Sequence, residues 1–278
     1  MGKVVFVGAG SMAEAIIAGI VHQRVMPATD VFVMNKSDEE RLIHLQQTYG
    51  VSIVRPDRRE LAQAELVILA TKPKDVQQAM QDISHLLQDN TAVLSVIAGV
   101  SISTIEKGVG SRAIARSMPN TSATIGLSAT GIAYNSSVSL DMKQRITNLL
   151  SAIGIVEEVE EDALHLVTAL SGSGPAYVYY MAEALEEAAL AKGLSKEIAR
   201  ELIIQTLLGA ATMLKETQNE PCELRRNVTS PGGTTEAGVN TLAAQRFKES
   251  IAACIDSAEN RSRELGALTD TISIEVKH

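Results

Sequence analysis

Apolar and polar positions along this chain change rhythm once. Up to about residue 155, short apolar runs alternate with amphipathic stretches; beyond about Glu161 only the helical rhythm remains. The runs Lys3–Val7, Val31–Asn35, Leu66–Thr71, Ala92–Ile97, Ala113–Ser117 and Gly131–Tyr134 predict strands. Leu66-Val67-Ile68-Leu69-Ala70 is continuously apolar, as a strand buried on both faces requires. Helices are predicted at about 11–23, 38–49, 58–63, 75–87 and 102–107, with another near Asp141–Ile153. Such alternation predicts an α/β, doubly wound parallel sheet with right-handed crossovers.

In the second half, Leu164–Leu170, Pro175–Lys192, Lys196–Thr217, Pro221–Val228, Thr235–Gln245 and Lys248–Leu265 read as helices. Pro175 and Pro221 suit first turns, and Gly193 and Gly266 suit C-terminal stops. Tyr177, Tyr180, Met181, Ala184, Leu185 and Ala188 form one apolar face. Leu202, Ile203, Thr206, Leu207, Ala210, Ala211 and Leu214 form another. Ala-rich helices with two apolar faces predict a bundle that also makes a subunit interface. A self-contained monomeric bundle is the alternative. The change of rhythm divides the chain into residues 1–158 and 159–278.

Composition narrows the partners. The 278 residues suit two domains, and 45% hydrophobic residues suffice for a core. Aromatics are 3% with no Trp, so stacking platforms for nucleic acid are largely missing. The net charge of −8 argues against a polyanion partner. It is unevenly placed: residues 1–155 carry 14 Lys and Arg against 13 Asp and Glu, and 156–278 carry 11 against 20. Two cysteines, Cys222 and Cys254, make no disulfide framework and point to a reduced, cytoplasmic setting. The chain opens on a strand without a signal segment, and no run of ~18 apolar residues predicts a membrane span. His22, His44, His85, His165 and His278 have no metal-ligand spacing, so no metal is expected.

Chemistry enters at Gly8-Ala9-Gly10-Ser11-Met12-Ala13, directly after Val4-Val5-Phe6-Val7. This is G-x-G-x-x-A between a strand and a helix. The first glycine permits a tight turn, the second a close pyrophosphate, and Ala13 close helix–strand packing. The N–H groups and dipole of the helix start then face the phosphates. A strand–turn–helix without a ligand is the bland alternative. An NAD site wants a carboxylate at the tip of the second strand, but Asn35-Lys36-Ser37 stands there. Asn35 donates and Lys36 adds charge, which favours the 2′-phosphate of NADPH, with NADH also usable. Ser37 is expected to N-cap the next helix, with Glu40 closing a capping box and Asp38 serving the dipole. Ala70-Thr71-Lys72-Pro73 follows the third predicted strand, where ligands bind in such sheets. Met118-Pro119-Asn120-Thr121 is expected to line the same crevice.

Two Ser/Gly-rich turns open helices in the second half: Ser171-Gly172-Ser173-Gly174-Pro175 and Ser230-Pro231-Gly232-Gly233-Thr234-Thr235. Each offers backbone N–H groups to a carboxylate, or is simply a capped loop. With Gly8–Ala13, Ala70–Pro73 and Met118–Thr121, the Ser171–Tyr177 turn and Asn227–Thr235 resemble pyrroline-5-carboxylate reductases in order and spacing. The resemblance covers essentially the whole chain, and Asn227–Thr235 is its most specific part. It implies a Rossmann domain followed by an all-α dimerisation domain, forming a homodimer or a multiple of dimers. It implies NAD(P)H-dependent reduction of 1-pyrroline-5-carboxylate to L-proline, the last step of proline biosynthesis. By position, Gly8–Ala13, Asn35, Lys36, Ala70, Thr71, Lys72, Pro73, Ala98 and Asn227 touch cofactor. Glu161, Ser171, Gly172, Ser173, Gly174, Thr234 and Thr235 touch substrate, and Thr235 is the catalytic candidate. Two positions depart from the family: Asp57 stands where Asn is common, and Lys36 where Arg is common.

Hydride transfer to a protonated imine needs proximity more than a strong acid, and no convincing acid–base pair lies near these motifs. A β-hydroxyacid dehydrogenase is the alternative enzyme, but it needs a lysine after the Ser171–Pro175 turn, and none occurs before Lys192. A non-enzymatic NAD(P) sensor would not need Asn227–Thr235.

Overall fold

The computed structural model describes residues 2–275, so His278 lies outside the described residues. Contacts gather the chain into two units. One comprises residues 1–175 with 257–278, and the other residues 176–256.

The first unit runs β1 (Lys3–Val7), α1 (Ser11–His22), β2 (Val31–Met34), α2 (Glu39–Tyr49), β3 (Ser52–Ile53), β4 (Ala64–Leu69) and α3 (Val76–Ser84). It continues with β5 (Ala92–Ser95), α4 (Ile102–Val109), β6 (Ile114–Met118), β7 (Ser128–Tyr134), α5 (Leu140–Leu150), β8 (Gly154–Glu158) and α6 (Leu164–Val167). The strands form one sheet in the order β3-β2-β1-β4-β5-β6-β7-β8. Successive residues of a strand point to opposite faces, and both faces here are apolar. Val4, Phe6, Leu66 and Ile68 pack on Ile16, Ile17 and Ile20 of α1 and Leu149 of α5. Val5, Val7, Val67 and Leu69 pack on Met80 and Ile83 of α3 and Ile105 of α4. Each such side chain stabilises the unit by roughly 1.5–3 kcal/mol. The two helix layers therefore carry the fold, and the continuous run Leu66–Leu69 is fully buried, as its pattern predicts.

Several expectations are corrected. The sheet is not wholly parallel, because β7 pairs antiparallel with β6. The connection between Met118 and Ser128 is too short for the crossover of about a dozen residues that a parallel neighbour needs. Strands β3 and β8 close the two sheet edges and were not predicted; β3 has only two residues and no period to read. The helix expected at 58–63 is a single 3-10 turn, Leu61–Gln63, because Arg58 has left-handed backbone. Asp38, not Ser37, caps α2: its Oδ1 accepts from the Arg41 N–H at 2.9 Å, and the helix starts one residue later than a capping box ending at Glu40 requires. The helix expected at Leu164–Leu170 ends at Val167 and widens into a π-type turn, Thr168–Gly172.

Helices α7 (Gly174–Ala191) and α11 (Phe247–Glu275) cross the unit boundary, and α8 (Lys196–Thr217), α9 (Pro221–Asn227) and α10 (Thr234–Ala244) lie within the second unit. Pro221 occupies the first turn of α9, and Gly193 (φ 91°) follows α7 as a stop. Gly266 is not a stop but sits inside α11, where a Cβ would lie 3.3 Å from the His165 ring. Its small size serves close approach. Within the second unit Ala199 is the one buried apolar side chain among the described residues, while Tyr179, Tyr180, Leu202 and Leu208 are all more than half exposed. Cys254, expected in the core, is half-buried, and Cys222 is exposed. Among the described residues no helix is long and apolar enough to cross a membrane.

His165 on α6 places Nδ1 2.9 Å from the Ser262 hydroxyl on α11. Burial, then the Arg116 and Arg263 cations, hold its pKa below the ordinary 6.5, against the weaker pull of Asp162 and Glu259. The folded state thus binds fewer protons here than the unfolded chain. The resulting stability is fully present above pH 6.5 and is lost as pH falls through the folded value. In thermal melts, the fall in stability from neutral pH into this window is expected to be shallower in His165→Gln than in wild type.

Candidate active site

Strand β1 leads to β2 and β3 on one side of the sheet, while β4 opens the path to β5 and β6 on the other. At this reversal the carboxyl ends of β1 and β4 frame a crevice. Gly8 leaves β1 at φ 111°, and its N–H donates to the Met34 carbonyl at 3.0 Å. A Cβ on Gly8 would lie 2.5 Å from the Ala70 carbonyl oxygen at the end of β4, so only glycine fits. Gly10 is the N-cap of α1 and lends no side-chain cap. The first N–H groups of α1 are therefore available to an anion. Ala13 is fully buried and lets α1 lie close on the sheet.

The cleft has a volume of about 810 Å³. Gly8, Ala9, Gly10, Ser11, Asn35, Lys36, Ala70, Thr71 and Lys72 line it, so nine of the expected cofactor residues are brought together. Met12, Ala13, Pro73, Ala98 and Met118–Thr121 are not among its lining residues, and Asn227 belongs to the other unit. Asn35 Oδ1 accepts from the Lys36 N–H at 2.7 Å, which orders the loop after β2. Among the described residues the buried Thr71 Oγ1 has no hydrogen-bond partner. Leaving such a group unmatched costs about 1–3 kcal/mol, so a polar ligand atom suits this position. The orphan hydroxyl, the Gly8 cradle and the uncapped helix fit a dinucleotide.

The structure adds residues that sequence reasoning missed. Arg41 Nε donates to the Ala9 carbonyl at 2.9 Å, and its Nη2 pairs with Glu14 of α1. Glu14 also accepts from the Tyr49 hydroxyl at 3.2 Å and lies 3.4 Å from His44 Nε2. Burial alone would raise the Glu14 pKa; the bonds from Arg41, with those of Tyr49 and His44, hold it below the usual range. This clamp joins the glycine turn to α2, and nothing in a single sequence links positions 9, 14 and 41. Lys74 and Arg58 also line the cleft. Asp57 does not: Arg59 Nε donates to its Oδ2 at 2.8 Å, and this bond lowers its pKa.

The remaining expected residues fall into two groups. In the first unit, Glu161 Oε1 accepts from the Ile102 N–H at 2.7 Å and from buried Arg116 at 3.1 Å. Ser171 and Gly172 lie in the π-type turn, where buried Asn120 donates to the Ser171 carbonyl at 3.0 Å. The Ser171 hydroxyl donates to Val167 O at 3.1 Å, and the Ser173 N–H donates to Thr168 O at 2.8 Å. In the second unit, Asn227 ends α9, and Thr234 and Thr235 open α10. No side chain of the N-cap Gly233 caps α10, and Glu236 accepts from the Gly232 N–H at 2.8 Å. Thr235 is exposed. This helix start also has N–H groups available for a carboxylate.

Replacing Arg41 by Met would free the Ala9 carbonyl and leave Glu14 without its main cation. The expected outcome is a loss of about 1–2 kcal/mol in urea unfolding, with the Michaelis constants for NADPH and NADH rising by a similar factor.

The chain is matched by the family model for pyrroline-5-carboxylate reductase dimerisation over residues 161–265. A model for NADP oxidoreductase, coenzyme F420-dependent, matches residues 3–99. It is 44% identical to pyrroline-5-carboxylate reductase 2 of Bacillus subtilis (strain 168), over 95% of both chains. It is similar to a solved pyrroline-5-carboxylate reductase from Coxiella burnetii, with TM-score 0.90, 36% identity and coverage of 95% of this chain and 98% of that one. A Plasmodium falciparum pyrroline carboxylate reductase solved with NADP bound matches at TM-score 0.81 and 28% identity, covering 95% and 98%.

Proposed function

The chain belongs to the pyrroline-5-carboxylate reductase family, and from that membership we propose that it reduces 1-pyrroline-5-carboxylate to L-proline with NADPH. A 44% identity over 95% of the chain carries this reading. When bound, the reduced nicotinamide supplies the hydride that the imine carbon accepts.

The chain's own residues bind and orient. The N–H groups opening α1 at Gly10–Ala13 receive the pyrophosphate, and Gly8 gives it room. Asn35 and Lys36 receive the 2′-phosphate, and the orphan Thr71 hydroxyl gains a polar partner. Lys72 shapes the same rim; Pro73, Ala98 and Asn227 are assigned to the cofactor by family position. Glu161, Ser171, Gly172, Ser173, Gly174 and Thr234 are assigned to the substrate. Backbone N–H groups of one of the two Ser/Gly turns hold its carboxylate. Thr235 bonds the ring nitrogen and fixes the face that receives hydride. Proximity then supplies most of the barrier lowering, because the protonated imine is already electrophilic.

The dehydrogenase alternative lacks its lysine, since α7 contains none between Gly174 and Ala191. Residues 1–158 serve the cofactor, and 159–278 serve the substrate and subunit contacts. The exposed apolar side chains of the second unit suit burial against a second copy, giving a homodimer or a multiple of dimers. Two unpaired cysteines suit the cytoplasm.

With pyrroline-5-carboxylate as substrate, the Michaelis constant for NADPH is expected to lie clearly below that for NADH; the reverse order would refute the NADPH assignment. Replacing the pyrroline by 2-hydroxy or 3-keto acids should give no turnover. Thr235→Ala is expected to lower kcat at least about tenfold with little change in melting temperature. Intact turnover would reduce Thr235 to a helix-opening residue.

A further inference from the structure

One arginine of the cleft holds a left-handed backbone where two turns meet: the Arg58 N–H donates to the Arg55 carbonyl at 2.9 Å, and the Arg58 carbonyl accepts from the Leu61 N–H at 3.1 Å. Among the described residues, Arg24, Arg58, Gln218 and Arg246 are the non-glycine residues with positive φ. Arg24 follows α1, Gln218 caps α8 and Arg246 follows α10, where left-handed geometry ends a helix. Arg58, at φ 52°, ends no helix and lies in the loop between β3 and β4. A side chain there crowds its own backbone, and glycine would adopt the conformation with less strain.

The strained backbone presents a guanidinium to the cleft. Arg58 Nη1 donates to the Asp82 carbonyl of α3 at 3.0 Å, which fixes the arm. Among the described residues its other guanidinium N–H groups have no protein partner. The neighbouring Asp57 is bound by Arg59 and does not line the cleft.

Charge gives this placement a direction. Of the acids lining the cleft, Glu14 is held by Arg41, Asp38 caps α2 and Asp82 accepts from Gln78. Of the cations, Lys36, Lys72, Lys74 and Arg58 make no ion pair among the described residues. Over the whole lining five cations (Lys36, Arg41, Arg58, Lys72, Lys74) stand against four carboxylates (Glu14, Asp38, Asp75, Asp82), so the cleft carries a net positive charge of one before any phosphate enters. Strands β2 and β3 are parallel neighbours, Val33 opposite Ile53, and the Val54 N–H donates to the Val33 carbonyl at 3.0 Å. The loops carrying Lys36 and Arg58 thus leave adjacent strand ends on one side of the sheet. Lys36 is a point charge, whereas a guanidinium grips a phosphate through two parallel bonds.

We propose that Arg58 is a cofactor-specificity residue whose guanidinium, beside Lys36, binds the 2′-phosphate of the dinucleotide. It supplies the planar fork that Lys36 lacks. The proposal rests on the reading that this cleft takes NADPH.

The test compares the full-length wild type with R58G and R58K. Each is assayed for kcat/KM with NADPH and with NADH at saturating pyrroline-5-carboxylate, and each is melted. R58G removes the guanidinium and relieves the backbone; R58K keeps a charge without the fork. The ratio of kcat/KM for NADPH over NADH is expected to fall about tenfold in R58G, the scale of one charge-assisted contact, and by less in R58K. The melting temperature of R58G should not fall. An NADPH preference that survives in both variants overturns the assignment, as does an equal loss with the two cofactors, which would make Arg58 a support for the adenine. A wild type that prefers NADH would overturn the cofactor reading and this proposal together.

Discussion

The first unit depends on the close approach of two strand ends. Gly8 and Ala70 leave β1 and β4 so near each other that a single added carbon would lie 2.5 Å from a carbonyl oxygen. The crevice exists because the chain runs outward in both directions from this pair of strands. Buried layers on both faces of the sheet hold the two ends at that spacing, so the site takes its rigidity from the core. The orphan Thr71 hydroxyl follows directly after Ala70 and is unmatched within the protein. A buried hydroxyl left unmatched beside a cleft is suited to a polar ligand atom.

Electrostatics in the cleft separates into a structural and a functional set. Glu14 and Arg41 neutralise each other while tying α1, α2 and the glycine turn together. Cations without ion pairs among the described residues remain on the rim. Paired charges preserve shape, and unpaired ones are free to meet an anion, so substitutions in the two sets should differ in kind. Loss of the clamp disturbs every ligand of the turn alike, whereas loss of a rim cation discriminates between ligands that differ by a phosphate.

The second unit is governed by a different constraint. Its helices have strong propensity and apolar faces, but only Ala199 is buried among its described apolar side chains. Helical stability in proteins comes chiefly from packing an apolar face rather than from propensity. Such a unit is therefore incomplete as a free surface, which agrees with a family model that describes dimerisation over residues 161–265.

The division between sequence and tertiary structure follows the range of the interactions. Hydrophobic period identified β1, β4 and the long helices, because alternation and 3.6-residue spacing are local properties. The glycine turn and Asn35-Lys36 were legible for the same reason, as each lies within one short segment. Two-residue β3, the antiparallel turn into β7 and the continuation of α11 through Gly266 were not, since pairing partners decided them. The site shows the same boundary. Sequence drew attention to Asp57, but folding gave Asp57 to Arg59 and turned the next residue, Arg58, into the cleft. It named Glu161 without its partners Ile102 and Arg116, and it missed the clamp between Ala9, Glu14 and Arg41. By itself the sequence determined most of the strands and long helices and the glycine turn between β1 and α1. Only the tertiary structure decided which charges are paired and which face the ligand, because that depends on distances between residues far apart in the chain.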